Sequence, residues 1–325
     1  MNGPGGTSRH LAKNAPAGAG PNNPAASSAA AARARRRFAQ RIFAPKSSTR
    51  LLTPPTFFGP GVADPNLLRA FRKPAALVVA FPRSGRTWLR VMLALAFERE
   101  FDAFSANPLD SDGWARAEPR LPRVVVTAGR REPRVLPPED VAPTLSWPGR
   151  HSFVLLARDP RDVIVSIWHE RTSRAAHERR LPRFDGSLSD LLRADRGGLR
   201  TVVAYLNHWA VHKHAAERFL LVKYEHLLDD TALEFGRVLS FIGLAPSREL
   251  IDELVRQTTF EYLRRMEVSG RLGYKPNADL LADPAALALR RGAAGGYRDH
   301  FTQDDHRYAE RILGALDPMF GYCTR

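Results

Sequence analysis

The segment Val78-Val79-Ala80-Phe81-Pro82-Arg83-Ser84-Gly85-Arg86-Thr87-Trp88 sets two arginines, a glycine and two hydroxyls between an apolar run and a helical pattern. Residues of these types suit an oxyanion. Backbone N–H groups at a helix N-terminus point at an anion, and the helix dipole favours negative charge there. Gly85 lets the backbone come close, and Arg83 and Arg86 add fork-shaped donors for phosphate or sulfate oxygens. Taken alone, the segment is equally an ordinary strand-to-helix turn with exposed arginines. A competing chemistry is that of a nucleotide-dependent kinase. Gly85-Arg86-Thr87 imitates the Gly-Lys-Ser/Thr ending of a P-loop, but the first glycine would fall at Ala80 and the lysine is an arginine.

A second anion receptor is expected further along. The run Phe153-Val154-Leu155-Leu156-Ala157-Arg158 puts an arginine at the carboxyl end of an apolar strand, where ligands bind in open α/β sheets. Asp159-Pro160 then starts a helix, and Ser166 lies about two turns into it. Pairing of Arg158 with Asp159 or Asp162 is the plain alternative. Later come Leu221-Val222-Lys223-Tyr224-Glu225, Thr258-Thr259-Phe260, and Arg290-Arg291-Gly292-Ala293-Ala294-Gly295-Gly296-Tyr297. Adjacent arginines before a glycine-rich turn can grip a phosphate with side chains and backbone together. By itself that last stretch is a basic surface loop.

The elements that must hold these residues follow from apolar spacing. Leu77 to Phe81, Val124 to Thr127, Phe153 to Ala157 and Phe219 to Lys223 are continuous apolar runs of strand length. Continuity rather than alternation implies strands buried on both faces. Leu89, Met92, Leu93, Ala96 and Phe97 share one helical face. Thr231 with Glu234, and Thr302 with Asp305, have capping-box spacing. The fold class is therefore α/β, three layers with a central parallel sheet flanked by helices.

Composition sets the limits. The 325 residues allow one large domain or at most two. There are 49 Lys plus Arg against 34 Asp plus Glu, and nine of the basic side chains precede the first acid, Asp64. Setting those nine aside leaves 40 against 34, a mild excess of +6 that is compatible with a polyanionic substrate or with a solvated surface. Residues 1–60 lack acids and hold few apolar side chains other than Ala, so they read as a disordered basic arm or targeting segment ahead of a domain over 61–325. A solvated tail, a transit peptide within residues 1–50, and a basic arm for nucleic acid or anionic lipid all fit that composition. Nucleic acid is not expected as a partner, because stacking aromatics are not interleaved with the basic residues. Cys323 is the single cysteine, which excludes an intrachain disulfide and fits a reducing, cytoplasmic setting. No run of 18 apolar residues exists, so an integral membrane protein is not expected.

Together the segments resemble the PAPS-dependent sulfotransferase family of cytosolic and bacterial type, over about Lys73 to Tyr322. (PAPS is 3′-phosphoadenosine 5′-phosphosulfate.) The ordered matches are the Pro-basic-Ser-Gly-x-Thr-Trp loop, the Arg-x-Pro-x-Asp-x-x-x-Ser segment, the Tyr-Glu strand end, the Thr-Thr-Phe element and the C-terminal Arg-Arg-Gly segment. The resemblance implies a P-loop-like fold, PAPS as sulfuryl donor, release of 3′,5′-ADP, and no metal. It implies that Arg83, Ser84, Gly85, Arg86 and Thr87 hold the phosphosulfate. Arg158 and Ser166, with Arg290, Arg291 and Gly292, would hold the 3′-phosphate. Trp88 and Phe260 would sandwich the adenine, and Tyr224 and Thr258 would meet its edge. The acceptor is a small molecule, glycan or lipid bearing a hydroxyl or amine. Many family members place a His directly after a Thr on the second strand, as the base for the acceptor; here Thr127 is followed by Ala128. Glu132 is the substitute expected, with Asp110 and Asp112 as others; an acidic phenol would need none. A protein of this kind that binds nucleotide without turnover is the remaining alternative.

Overall fold

In this computed structural model, residues 75–102, 107–110, 114, 118, 120–145, 150–172, 181–272, 281, 287 and 292–322 are described. The strands are β1 (Ala76–Val79), β2 (Val124–Thr127), β3 (Ser152–Ala157) and β4 (Arg218–Lys223). They pair in parallel in the order β2-β1-β3-β4, with Val78 level with Val126 on one side and Val154 on the other. Because side chains alternate across a strand, the sheet divides the core in two. Leu77, Val79, Phe153, Leu155 and Ala157 face one layer, while Ala76, Val78, Val124, Val126, Val154 and Leu156 face the other. Near-continuous apolar residues along the strands, broken only at their ends by Thr127, Ser152, Arg218 and Lys223, are what a sheet covered on both faces requires.

Helix α1 (Arg86–Phe101) covers the second face with Leu89, Met92, Leu93, Ala96 and Phe97, the stripe expected from their spacing. Helices α2 (Pro160–Thr172), α3 (Leu188–Arg193) and α4 (Leu199–His212) cover the first. After β4 come α5 (Tyr224–Asp229), α6 (Thr231–Phe241), α7 (Arg248–Gln257), α8 (Phe260–Val268) and, back on the first face, α9 (Gln303–Leu313). The β1-to-β2 and β3-to-β4 crossovers run in opposite directions along the sheet and on opposite faces, so they share one hand. The direction in which the connections wind along the sheet reverses between the parallel neighbours β1 and β3, and the loops leaving their carboxyl ends part around a crevice.

Element boundaries differ from expectation in small ways. β1 stops at Val79; Ala80 still donates its N–H to the Thr127 carbonyl (3.1 Å), and Phe81 departs with its ring edge-on to Tyr205 at 5.2 Å. Asp159 accepts from the Arg161 N–H (2.9 Å) at the start of α2, as the Asp-Pro pair predicts. Thr302 and Asp305 form the expected capping box. Thr231 and Glu234 do not. The cap there is Asp230, which accepts from the Leu233 N–H (2.9 Å), while the Thr231 hydroxyl donates to the Leu227 carbonyl (2.7 Å) and Glu234 pairs with Arg237. An aspartate one residue earlier caps as well as threonine and displaces it. Among the described residues no helix is long and apolar enough to cross a membrane. Residues 1–60 and Cys323 lie outside the described residues.

Candidate active site

The loop between β1 and α1 turns through left-handed backbone twice, at Arg83 (φ 72°) and Gly85 (φ 99°). The first is costly for an arginine and persists only where its surroundings fix it. The second needs glycine on two grounds, because a Cβ at Gly85 would also lie 2.7 Å from Tyr224 Cδ2. Gly85 caps α1 with no side chain, the first turn holds no acid, and its first residue is a cation, Arg86. Such a helix start disfavours positive charge and leaves backbone N–H groups that suit an anion. Ser84 is buried, its N–H donating to the Phe81 carbonyl (3.3 Å).

Arg83 crosses the crevice to α2. Its Nε donates to Ser166 Oγ (2.8 Å), and its Nη1 lies 3.6 Å from Glu170 Oε1. Glu170 also pairs with Arg134, whose Nε and Nη2 each donate to one oxygen of Glu132 (2.8 Å both). Burial opposes ionisation of Glu132, but the hydrogen bonds and charge of Arg134, with Arg86 behind, outweigh it and hold the carboxyl below its usual range. Burial likewise works against the Arg134 cation, and Glu170 and Glu132 raise its pKa nonetheless. The chain Arg83–Glu170–Arg134–Glu132 is thus an alternating row of charges. Glu170 and Arg134 escaped sequence reasoning, although Glu170 lies one turn beyond Ser166 and therefore on the same face of α2.

Arg158 closes the other side. Its guanidinium stacks over the Tyr224 ring at 4.4 Å, donates to the carbonyls of Arg83 (3.0 Å) and Ala293 (3.1 Å), and stands 3.9 Å from Asp162. The competing carboxylates are mostly engaged elsewhere: Asp162 accepts from the N–H groups of Gly295 (2.6 Å) and Tyr297 (2.9 Å), and Asp159 pairs with Arg161. Tyr224, from the β4–α5 junction, forms the floor beneath both the loop and Arg158.

An aromatic wall adjoins this pocket. The Trp88 indole N–H donates to the Thr258 carbonyl (3.1 Å), and its ring meets Tyr224 edge-on at 6.1 Å. Thr258 spends its own hydroxyl on the Leu254 carbonyl (2.8 Å) at the end of α7, so it fixes Trp88 through its backbone. Phe260 begins α8, and Gly292 (φ 62°) packs so closely that a Cβ would sit 2.5 Å from Phe260 Cδ2. Arg290 and Arg291 lie outside the described residues.

On the far side of the loop, Thr127 Oγ1 and the Gly129 N–H bond at 3.1 Å, so that Ala128 turns at the carboxyl end of β2. Arg86 and Arg90, one turn apart on α1, flank that end; Arg90 Nη2 donates to the Val126 carbonyl (2.6 Å). Asp112 lies outside the described residues. No group of three His, Cys, Asp or Glu that could hold a metal occurs among the described residues.

Comparison with known proteins places this arrangement. The model of the sulfotransferase domain matches residues 73–316. Sulfotransferase 1E1 of Cavia porcellus is 23% identical over 259 residues, covering 74% of this chain and 83% of its own. Cytosolic sulfotransferase 16 of Arabidopsis thaliana is 24% identical over 263 residues, with 75% of each chain covered. The crystal structure of mouse sulfotransferase SULT7A1 complexed with PAP superposes with a TM-score of 0.53 at 19% identity, covering 77% of this chain and 88% of that one. At such identities the solved structure supports the fold alone, and the domain match carries the assignment. With its parallel sheet, its basic loop after β1 and the Arg158–Ser166 segment beyond β3, the chain belongs to the sulfotransferase family, enzymes that use PAPS.

Proposed function

We propose that the protein transfers the sulfuryl group of PAPS to a hydroxyl or amine acceptor and releases 3′,5′-ADP. The observation that carries this reading is the contact between Arg83 and Ser166, with Arg158 bonded to the Arg83 carbonyl. Sequence likeness assigns Arg83 to the phosphosulfate and Ser166 and Arg158 to the 3′-phosphate. In PAPS both groups hang from one ribose, so their receptors should be neighbours, and here they touch. Arg83, Ser84, Gly85, Arg86 and Thr87 receive the phosphosulfate, with Arg290, Arg291 and Gly292 joining Arg158 and Ser166. Trp88 and Phe260 flank the adenine, and Tyr224 supports the floor rather than the base's edge.

In the transfer the acceptor oxygen attacks sulfur in line while the bond from sulfur to the bridging phosphate oxygen breaks. The acceptor loses its proton, and charge builds on the departing phosphate, where Arg83 stabilises it. Glu132 is a weak base in this arrangement, because Arg134 occupies both of its oxygens and lowers its pKa. The reaction is therefore best served by an acceptor whose own proton is acidic, such as a phenol.

Calorimetry tests the donor assignment. The protein should bind 3′,5′-ADP with a Kd in the micromolar range, roughly −8 kcal/mol, and ATP much more weakly, with no gain from Mg²⁺. Preference for Mg-ATP would make it a kinase instead.

We further propose that the catalytic domain spans 61–325 in a cytoplasmic setting, with residues 1–60 a dispensable arm. Among the described residues the first core side chains are Ala76 and Leu77, on β1. Deleting residues 1–50 should leave the melting temperature and 3′,5′-ADP affinity nearly unchanged; loss of either would show that the arm docks on the domain.

A further inference from the structure

The carboxylates around the active site are already committed, and two arginines are left over. Both Glu132 oxygens accept from Arg134, and Glu170 is shared between Arg134 and Arg83. Arg86 and Arg90 have no carboxylate within ion-pair distance among the described residues. Arg90 spends one N–H on the Val126 carbonyl (2.6 Å), and its Nε is buried with no hydrogen-bond partner. The two cations stand one turn apart on α1 and oppose each other. Burial first, and then Arg86, lowers the Arg90 pKa to about 10, with Asp110 only partly offsetting them. Burial also lowers the pKa of Arg86, with Glu132 the first of the charges that partly offset it. Both side chains are half-buried, and a half-buried pair of like charges is stabilised when a further anion joins it.

The donor accounts for part of this charge, since its phosphosulfate lies at the loop with Arg83 and Arg86. Arg90 is a turn further along α1, against the end of β2, the strand end where the family resemblance puts the acceptor's base. We propose that the acceptor is itself an anion, a hydroxyl compound bearing a carboxylate or sulfonate-type group that pairs with Arg90 beside Arg86. This assignment rests on the PAPS reading and specifies its second substrate. Arg90 is then a specificity-determining residue, and the acceptor's charge supplies what the protein withholds.

The test uses phenols of similar acidity and different charge with radiolabelled PAPS: 4-hydroxybenzoate and 4-hydroxybenzenesulfonate against neutral 4-hydroxybenzamide. At least one anionic phenol should exceed the amide in kcat/KM by about tenfold or more, the size of one good charge pair. Arg90→Gln keeps an N–H for the Val126 carbonyl and removes the charge; it should bring the ratio close to one, and Arg90→Lys should restore much of it. Affinity for 3′,5′-ADP, measured on each variant, reports that the fold and donor site are intact. An amide that reacts as well as the anions, or a preference that survives Arg90→Gln, overturns the proposal. Should none of the three turn over, their binding to the 3′,5′-ADP complex decides, and anions that bind no tighter than the amide overturn it equally. Failure to bind 3′,5′-ADP at all would strike the donor assignment instead.

Discussion

Arg83→Ala is expected to lower kcat by about two to three orders of magnitude, the loss typical of a donor that acts on charge developing in the transition state. Arg158→Ala should mainly raise the KM for PAPS. The 3′-phosphate is remote from the sulfur and keeps its charge throughout, so its contact contributes almost equally to ground and transition states. Arg158 also bonds the Arg83 carbonyl, so its loss should cost some kcat as well, well short of the Arg83 effect. Arg83→Lys should recover most of the rate, since a lysine usually fills this place in the family and carries the same charge. Steady-state kinetics on the three variants decides. If the Arg158 variant loses kcat while the Arg83 variant loses only PAPS affinity, the two roles are reversed.

The largest stability effect should come from Glu170→Gln. Glu170 is buried and pairs with both Arg83 and Arg134. Removing its charge while keeping its shape leaves Arg83 and Arg134 without their shared carboxylate, and breaking a buried pair in this way costs about 3–5 kcal/mol. Urea denaturation should show the loss as a lower midpoint at unchanged slope. Arg134→Met combined with Glu170→Gln should be less damaging than the sum of the single changes, because the second removes the charge the first stranded. Additive losses would mean that the row of charges is not a unit.

The basic loop after β1, the segment beyond β3 and the four strands of the described residues were legible in the sequence, because each is written in consecutive residues. Apolar runs gave the strands to within two residues at each end, and Gly85 and Asp159 announced their roles by type and place. What stayed hidden depends on residues that the fold brings together from afar. Glu170 and Arg134 are 36 positions apart in sequence. Glu132 and Arg134 are only two positions apart, but that spacing does not show that Arg134 would take both carboxylate oxygens, a bond that decides how basic Glu132 is. The Thr231–Glu234 spacing looked like a capping box because local pattern cannot say which of two adjacent residues, Asp230 or Thr231, begins the helix. Thr258 illustrates the same limit: its position beside Trp88 was readable, but its use of a backbone carbonyl rather than its hydroxyl was not.

The sheet order has a consequence for biosynthesis. β1 emerges first of the four strands yet lies in the middle, and the layer beneath it is completed by Ile312, Leu313, Leu316, Phe320 and Tyr322 together with Leu77 and Val79. On the ribosome, then, the first strand waits for nearly the whole of the chain before its inner face is covered. No early fragment of the described residues holds this finished layer, so the domain is expected to close late and as one unit, with its apolar strands exposed to aggregation until then.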